Sequence, residues 1–122
     1  MHLAKARQCL ANARVSLGVA LTSDSGRGAY LAAFHAAQAF IFERTGRLAK
    51  THQGVQREFH RLAKGDTGVD PRLPAFLSQA YNLKAAADYE IGPDAEIPPA
   101  RAAAAIETAG SFVERIAELL GP

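Results

Sequence analysis

Cysteine is almost missing from this chain of 122 residues: Cys9 stands alone. That excludes an intrachain disulfide and any cysteine-rich zinc site. No window alternates polar and apolar residues with period two, so strands are not expected. No apolar run approaches the roughly 20 residues needed to cross a bilayer. The N-terminal stretch also lacks the continuous apolar core of a signal peptide, and a cytoplasmic location is the default expectation. Charge of neither sign dominates: 14 Lys and Arg face 12 Asp and Glu, a net charge of +2, with no Lys/Arg run. This permits a nucleotide or RNA partner without arguing for one. There is no Gly-x-x-x-x-Gly-Lys loop to cradle phosphates, no His-Glu-x-x-His and no Gly-x-Ser-x-Gly. Neither a metal nor a cofactor is expected.

What is present is apolar and small. Hydrophobic residues make up 48% of the chain and charged ones 21%, a balance that excludes a disordered linker and fits one domain over residues 1–122. The stretch from Ala29 to Phe42 carries no charge, and its only strongly polar side chains are His35 and Gln38. On a helix Tyr30, Phe34, Ala37 and Ile41 share one face, with Leu31, His35 and Phe42 beside it. A helix apolar on nearly every side predicts a central element that other helices cover. Before it, Leu3, Ala6, Leu10, Ala13, Leu17 and Ala20 form the seam of a first helix of about 20 residues. Thr22 to Gly26 reads as a turn, so that Arg27 opens the central helix and Gly46 stops it.

Thr51 predicts an N-cap for a short third helix with Val55, Phe59 and Leu62 inward. A fourth helix starts between Pro71 and Pro74, with Leu73, Phe76 or Leu77, Ala80, Leu83 and Ala87 facing inward and a second stripe of Leu77, Tyr81, Lys84 and Asp88. Residues 92–96 read as a loop, and Pro98-Pro99 suits the first turn of a fifth helix seamed by Ile106, Ala109, Val113, Ile116 and Leu120. The expectation is an all-α, antiparallel bundle of four long helices plus one short one.

A few polar residues stand where a bundle does not need them. His35 lies within the apolar central helix, and its ordinary account is a core or interface histidine bonded to a neighbour. His52 follows Thr51 at a helix start, where a part in the cap would explain it. Lys84 and Asp88, one turn apart, make a surface pair in the poorer order for helix stability. Arg27 and His35, two turns apart, could line one groove; charge and imidazole beside an apolar seam cost stability unless paired or used.

Taken together, Arg27-x-x-Tyr30-x-x-x-Phe34-His35-Ala36-Ala37, Gly46, Lys50-Thr51-His52-x-Gly54-Val55, Phe59 and Leu83-x-x-x-Ala87-Asp88-Tyr89 resemble the HEPN domain (higher eukaryotes and prokaryotes nucleotide-binding). They are most similar to its small stand-alone prokaryotic branch, and the resemblance spans nearly the whole chain.

The resemblance implies a helical bundle that dimerises and partners a minimal nucleotidyltransferase, as the toxin-like or nucleotide-binding subunit of a toxin–antitoxin pair. Active members of the family are metal-independent endoribonucleases marked by Arg, four to six residues, then His. There the histidine serves as general acid or base and the arginine steadies the charged phosphorane. The corresponding segment here reads Lys84-Ala-Ala-Ala-Asp88-Tyr89. Lysine keeps the charge without the two-pronged grip, and tyrosine is a poor base near neutral pH. Arg47-Leu-Ala-Lys-Thr-His52 meets the spacing, but among ten arginines and four histidines about one such match arises by chance.

The residues therefore leave three functions open. One is a binding subunit using Arg27, His35, Lys84, Asp88 and Tyr89, with Tyr89 open to nucleotidylation by the partner enzyme. The second is a degenerate ribonuclease drawing its catalytic residues from His35, His52, Arg27 and Arg47. The third is a structural homodimer without a ligand.

Overall fold

A computed structural model describes residues 2–66, 68–89 and 97–121. Five helices account for nearly all of them: α1 (His2–Gly18), α2 (Thr22–Thr45), α3 (His52–Lys64), α4 (Arg72–Tyr89) and α5 (Pro99–Leu120). The expected all-α bundle of four long helices and one short one is what forms, and the described residues contain no strand. The loop expected at 92–96 lies outside the described residues.

The central helix is central in fact: α2 packs against each of the other four helices. Ala29, Tyr30, Ala32, Ala33, Ala36, Ala37, Phe40 and Ile41 are all buried. Alanine is the reason α2 can be surrounded, because small side chains on successive turns let neighbouring backbones come close. The adjacent stripe of Leu31, His35 and Phe42 is less covered, and Phe42 keeps 51% of its surface exposed.

The start of α2 differs from expectation. The turn lies at Val19–Leu21, where Ala20 takes a left-handed φ of 62°, and the helix already runs from Thr22. Residues 22–26 suit a first helical turn as well as they suit a loop, since Ser25 donates its hydroxyl to the Leu21 carbonyl at 2.9 Å and Asp24 sits near the positive end of the helix. Gly26 and Gly28 serve close packing. A Cβ on Gly28 would lie 2.8 Å from the Ala13 Cβ, and one on Gly26 would collide with Ile97. Gly28 against Ala13 and His35 against His2 make α1 and α2 antiparallel.

The other predicted signals hold. Gly46 stops α2 at φ 74° and donates to the Phe42 carbonyl, as a left-handed C-terminal glycine should. Thr51 caps α3 by accepting from the Gly54 amide at 2.9 Å. Pro98 and Pro99 open α5.

The connection between α2 and α3 sets up everything that follows. It does not lead away from α2 but turns back along it, held by the buried Gln38. The Gln38 amide donates to the Ala49 carbonyl at 2.9 Å and accepts from the Ala49 amide at 3.2 Å. As a result α3 begins beside Tyr30, in the first half of α2, and packs Phe59 against Phe40 farther along it.

Candidate functional site

Two helices, α2 and α4, meet at one ionic cluster. From the first turns of α2, Arg27 reaches α4: its Nε lies 2.5 Å from an Asp88 carboxylate oxygen, and another guanidinium nitrogen donates to the Ala87 carbonyl at 3.2 Å. A third nitrogen holds Asp24 at 3.0 Å. Lys84, one turn before Asp88, places its ammonium 2.7 Å from the other Asp88 oxygen. The Lys84–Asp88 pair is thus shared with a cation from another helix. Lys84 first and Arg27 second hold the Asp88 carboxyl below the usual carboxylate range. The side chains of Arg27, Lys84 and Asp88 retain 34%, 27% and 28% exposure, enough for a solute to reach them from one side.

Beside the ionic cluster stands an aromatic one. The buried Tyr30 packs edge-on against Tyr81 of α4, with ring centroids 5.4 Å apart, and is tilted against Phe34 at 5.9 Å. His52, first residue of α3, closes the group, 4.9 Å from Phe34, 5.5 Å from Tyr30 and 5.8 Å from Tyr81. His52 takes no part in the helix cap, which Thr51 provides alone. Its Nδ1 lies 2.6 Å from the Tyr30 hydroxyl.

Burial raises the Tyr30 phenol well above its ordinary pKa, and Tyr81 adds to this, so the phenol keeps its proton. A buried hydroxyl needs an acceptor, and among the described residues Nδ1 of His52 is its partner. This hydrogen-bond network assigns the ring proton to Nε2. Burial, followed by the charge of Lys84, lowers the His52 pKa. Both effects favour the neutral imidazole, and with Nδ1 accepting from Tyr30 that ring donates from Nε2, an arrangement suited to binding an oxygen.

The remaining candidates lie elsewhere. His35 does not share a groove with Arg27: eight residues turn a helix through about 80° beyond two full turns, and His35 faces the start of α1. Its ring stacks on His2 at 6.2 Å and meets Phe34 edge-on at 5.2 Å. Burial, then Lys5, then His2 lower its pKa, and its Nδ1 is buried without a hydrogen-bond partner among the described residues. Arg47 is exposed on the α2–α3 connection, near Glu58 and away from the Arg27 cluster. Its match to the Arg–His spacing does not bring it into the aromatic group with His52. Tyr89 ends α4 one residue after Asp88, and its side chain lies outside the described residues.

Sequence reasoning passed over two contributors, Tyr30 and Gln38. Both are polar groups in an apolar helix, a signal that each must have a partner; Tyr30 orients His52, and Gln38 fixes the connection that brings His52 there. Among the described residues no three His, Cys, Asp or Glu side chains gather as a metal site, and no helix is long and apolar enough to cross a membrane.

A central helix wrapped by four others, with a cation–carboxylate cluster at the α2–α4 contact, defines a small all-helical domain. The chain belongs to the HEPN family: the HEPN domain model matches residues 1–119. A comparison with curated proteins finds no significant match.

Proposed function

We propose that this single HEPN-type domain, over residues 1–122, is a cytoplasmic binding subunit. It partners a minimal nucleotidyltransferase in a toxin–antitoxin-type pair and holds a nucleotide or RNA phosphate at the Arg27–Lys84–Asp88 cluster. The observation that carries this reading is the sharing of Asp88 by Arg27 and Lys84 at 2.5 and 2.7 Å. Arg27 and Lys84 are balanced by Asp88 and Asp24, and a phosphate would be held by exchanging for a carboxylate on these partly exposed cations. His52 stands beside Lys84 as a neutral donor. The Lys84 and Tyr89 that replace the Arg–His pair of active family members support binding over RNA cleavage. Tyr89, adjacent to the cluster in sequence, is the residue we assign to nucleotidylation by the partner enzyme.

The same subunit is a homodimer in this reading. The less covered stripe of α2, with the half-exposed Phe42 and Leu48 beside His2, Leu3 and Ala39 around a cavity of about 290 Å³, is the apolar surface that a second copy would bury. Sedimentation of Phe42→Glu beside wild type tests this, with a monomer expected from the variant.

The function is tested by incubating wild type, His35→Ala, His52→Ala and Lys84→Ala with a mixed tRNA and mRNA pool without metal. Intact RNA, bound by wild type and less tightly by Lys84→Ala, is expected. RNA ends carrying 2′,3′-cyclic phosphate, lost in one variant, would replace the binding reading with a ribonuclease and name its catalytic residue.

A further inference from the structure

Charge is distributed unevenly over this fold. Residues 44–64 contain six cations (Arg44, Arg47, Lys50, Arg57, Arg61 and Lys64) and one carboxylate, Glu58. The rest of the chain holds eight cations against eleven carboxylates. A net charge of +2 therefore conceals a strongly positive region and a mildly negative remainder.

The structure turns that region into a surface. Helix α3 buries Val55 and Phe59 and leaves Arg57, His60, Arg61 and Lys64 exposed. Those four recur at three- and four-residue spacing, so they share one outward stripe extending about 10 Å along the helix. The connection before α3 adds Arg47 and Lys50, both exposed. Arg47 lies close enough to Glu58 to lower its pKa, after the larger effect of Arg61. Arg47, Glu58 and Arg61 border a concave cavity of about 410 Å³ between the connection and α3. Glu58 is committed to Arg61. Arg44 is held by Asp66 at 3.4 Å and stacks on Phe40 at 4.7 Å. Arg47, Lys50, Arg57 and Lys64 make no ion pair among the described residues.

Stability does not explain this pattern. Arg57 and Arg61 stand one turn apart, and like charges at that spacing repel. A solvated outer face needs polarity, not one sign of charge, and α5 meets that need with Arg101, Glu107, Glu114, Arg115 and Glu118.

We infer that the outer face of α3 with the connection before it binds a nucleic-acid phosphodiester backbone, without reading base sequence. Three alternatives in chemistry are separated by what this face lacks. A protein partner would need an apolar or aromatic anchor at the centre of the patch, and here only Leu48 is large, apolar and exposed. A membrane surface would need the apolar side of α3, which the bundle already buries. Interfaces with nucleic acid are polar and markedly positive, and unpaired exposed Lys and Arg are what releases counterions from phosphates. The face is separate from the Arg27–Asp88 cluster; it extends the RNA part of the proposed function without depending on that site.

The test uses the full chain and fluorescently labelled mixed-sequence oligonucleotides, single- and double-stranded, of RNA and of DNA, with anisotropy measured across a salt series. The variants are Arg57→Glu/Lys64→Glu, Lys84→Ala, and Arg101→Ala as an exposed cation elsewhere, each first shown by circular dichroism to keep the wild-type fold. The α3 double variant should lose at least tenfold in affinity for every oligonucleotide, with a shallower salt dependence. Arg101→Ala should lose less than threefold, while Lys84→Ala should show only the smaller loss that comes from removing one cation at the Arg27 cluster. Equal binding by RNA and DNA would define backbone recognition, and a preference for one would define which backbone, both supporting the face. Wild-type affinity in the double variant would overturn the inference. So would a loss confined to Lys84→Ala, which would place the nucleic acid at the Arg27 cluster and leave the proposed function standing. Polyglutamate bound as tightly as RNA, and lost in the same variant, would also overturn it in favour of an acidic protein partner.

Discussion

The Tyr30 hydroxyl and Nδ1 of His52, 22 residues apart in sequence, meet at 2.6 Å across the α2–α3 contact. The bond links a fully buried aromatic residue of the central helix to the first residue of the shortest helix. It also engages Nδ1 of His52 and leaves Nε2 as the other ring nitrogen.

Replacing Tyr30 by Phe keeps the ring packing against Phe34 and Tyr81 and removes only that bond. A loss of about 1–2 kcal/mol is expected, the usual cost of leaving a partly buried acceptor unpaired. Urea denaturation measures the loss. Nitrogen chemical shifts of His52 should change from one dominant tautomer to a mixture.

Acid should weaken the fold in two stages. His52 and His35 both have folded-state pKa values below their ordinary ones, so the folded state binds fewer protons than the unfolded state. Their contribution is complete above about 6.5, the unfolded value, and is lost as pH falls through the folded values. Asp88 is likewise lowered, and its contribution disappears only as pH falls below about 4. Thermal melts from pH 8 to pH 3 should show both stages, and His52→Gln should diminish the first.

Asp88→Asn removes the carboxylate that occupies Arg27 and Lys84. Lys84 is then released and Arg27 keeps only the Asp24 carboxylate, so nucleotide or RNA affinity should rise about three- to tenfold, while Lys84→Ala lowers it. Calorimetric titration with inorganic phosphate and with a nucleotide reads the change. Weaker binding in Asp88→Asn would mean that Asp88 positions the cations for the ligand instead of competing with it.

Gln38→Leu retains a side chain of similar size and leaves the amide and carbonyl of Ala49 without their partner. A cost of about 2–3 kcal/mol is expected from two lost bonds to a partly buried backbone. Hydrogen exchange at the Ala49 amide should accelerate, and His52 should report the loosening because the connection positions it.

Glycine at 28 should resist even alanine. The added methyl meets the Ala13 side chain at 2.8 Å, and overpacking of this kind costs about 1–3 kcal/mol, more than the roughly 1 kcal/mol gained in helix propensity. Gly18→Ala, with nothing within 4 Å, should stabilise by about 0.5 kcal/mol. Chemical denaturation of the two variants gives opposite signs.

Much of this protein was written in its sequence by local rules. Apolar spacing placed the helices, Thr51 and Gly46 marked boundaries through bonds made within a few residues, and the uncharged stretch from Ala29 to Phe42 announced a covered central helix. The turn at Val19–Leu21 escaped because Thr22 to Gly26 satisfies loop and helix alike, and only the contact of Gly28 with Ala13 decides between them. The site was half legible. Lys84 and Asp88 share a helical face and could be paired from spacing alone. Arg27 joins them, and His35 and Arg47 do not, because of where α2 meets α4 and how Gln38 turns the connection back along α2. Local sequence determines the helices because their hydrogen bonds are local. The company each polar side chain keeps is decided by packing between helices, where one residue of rotation moves a group by about 100°.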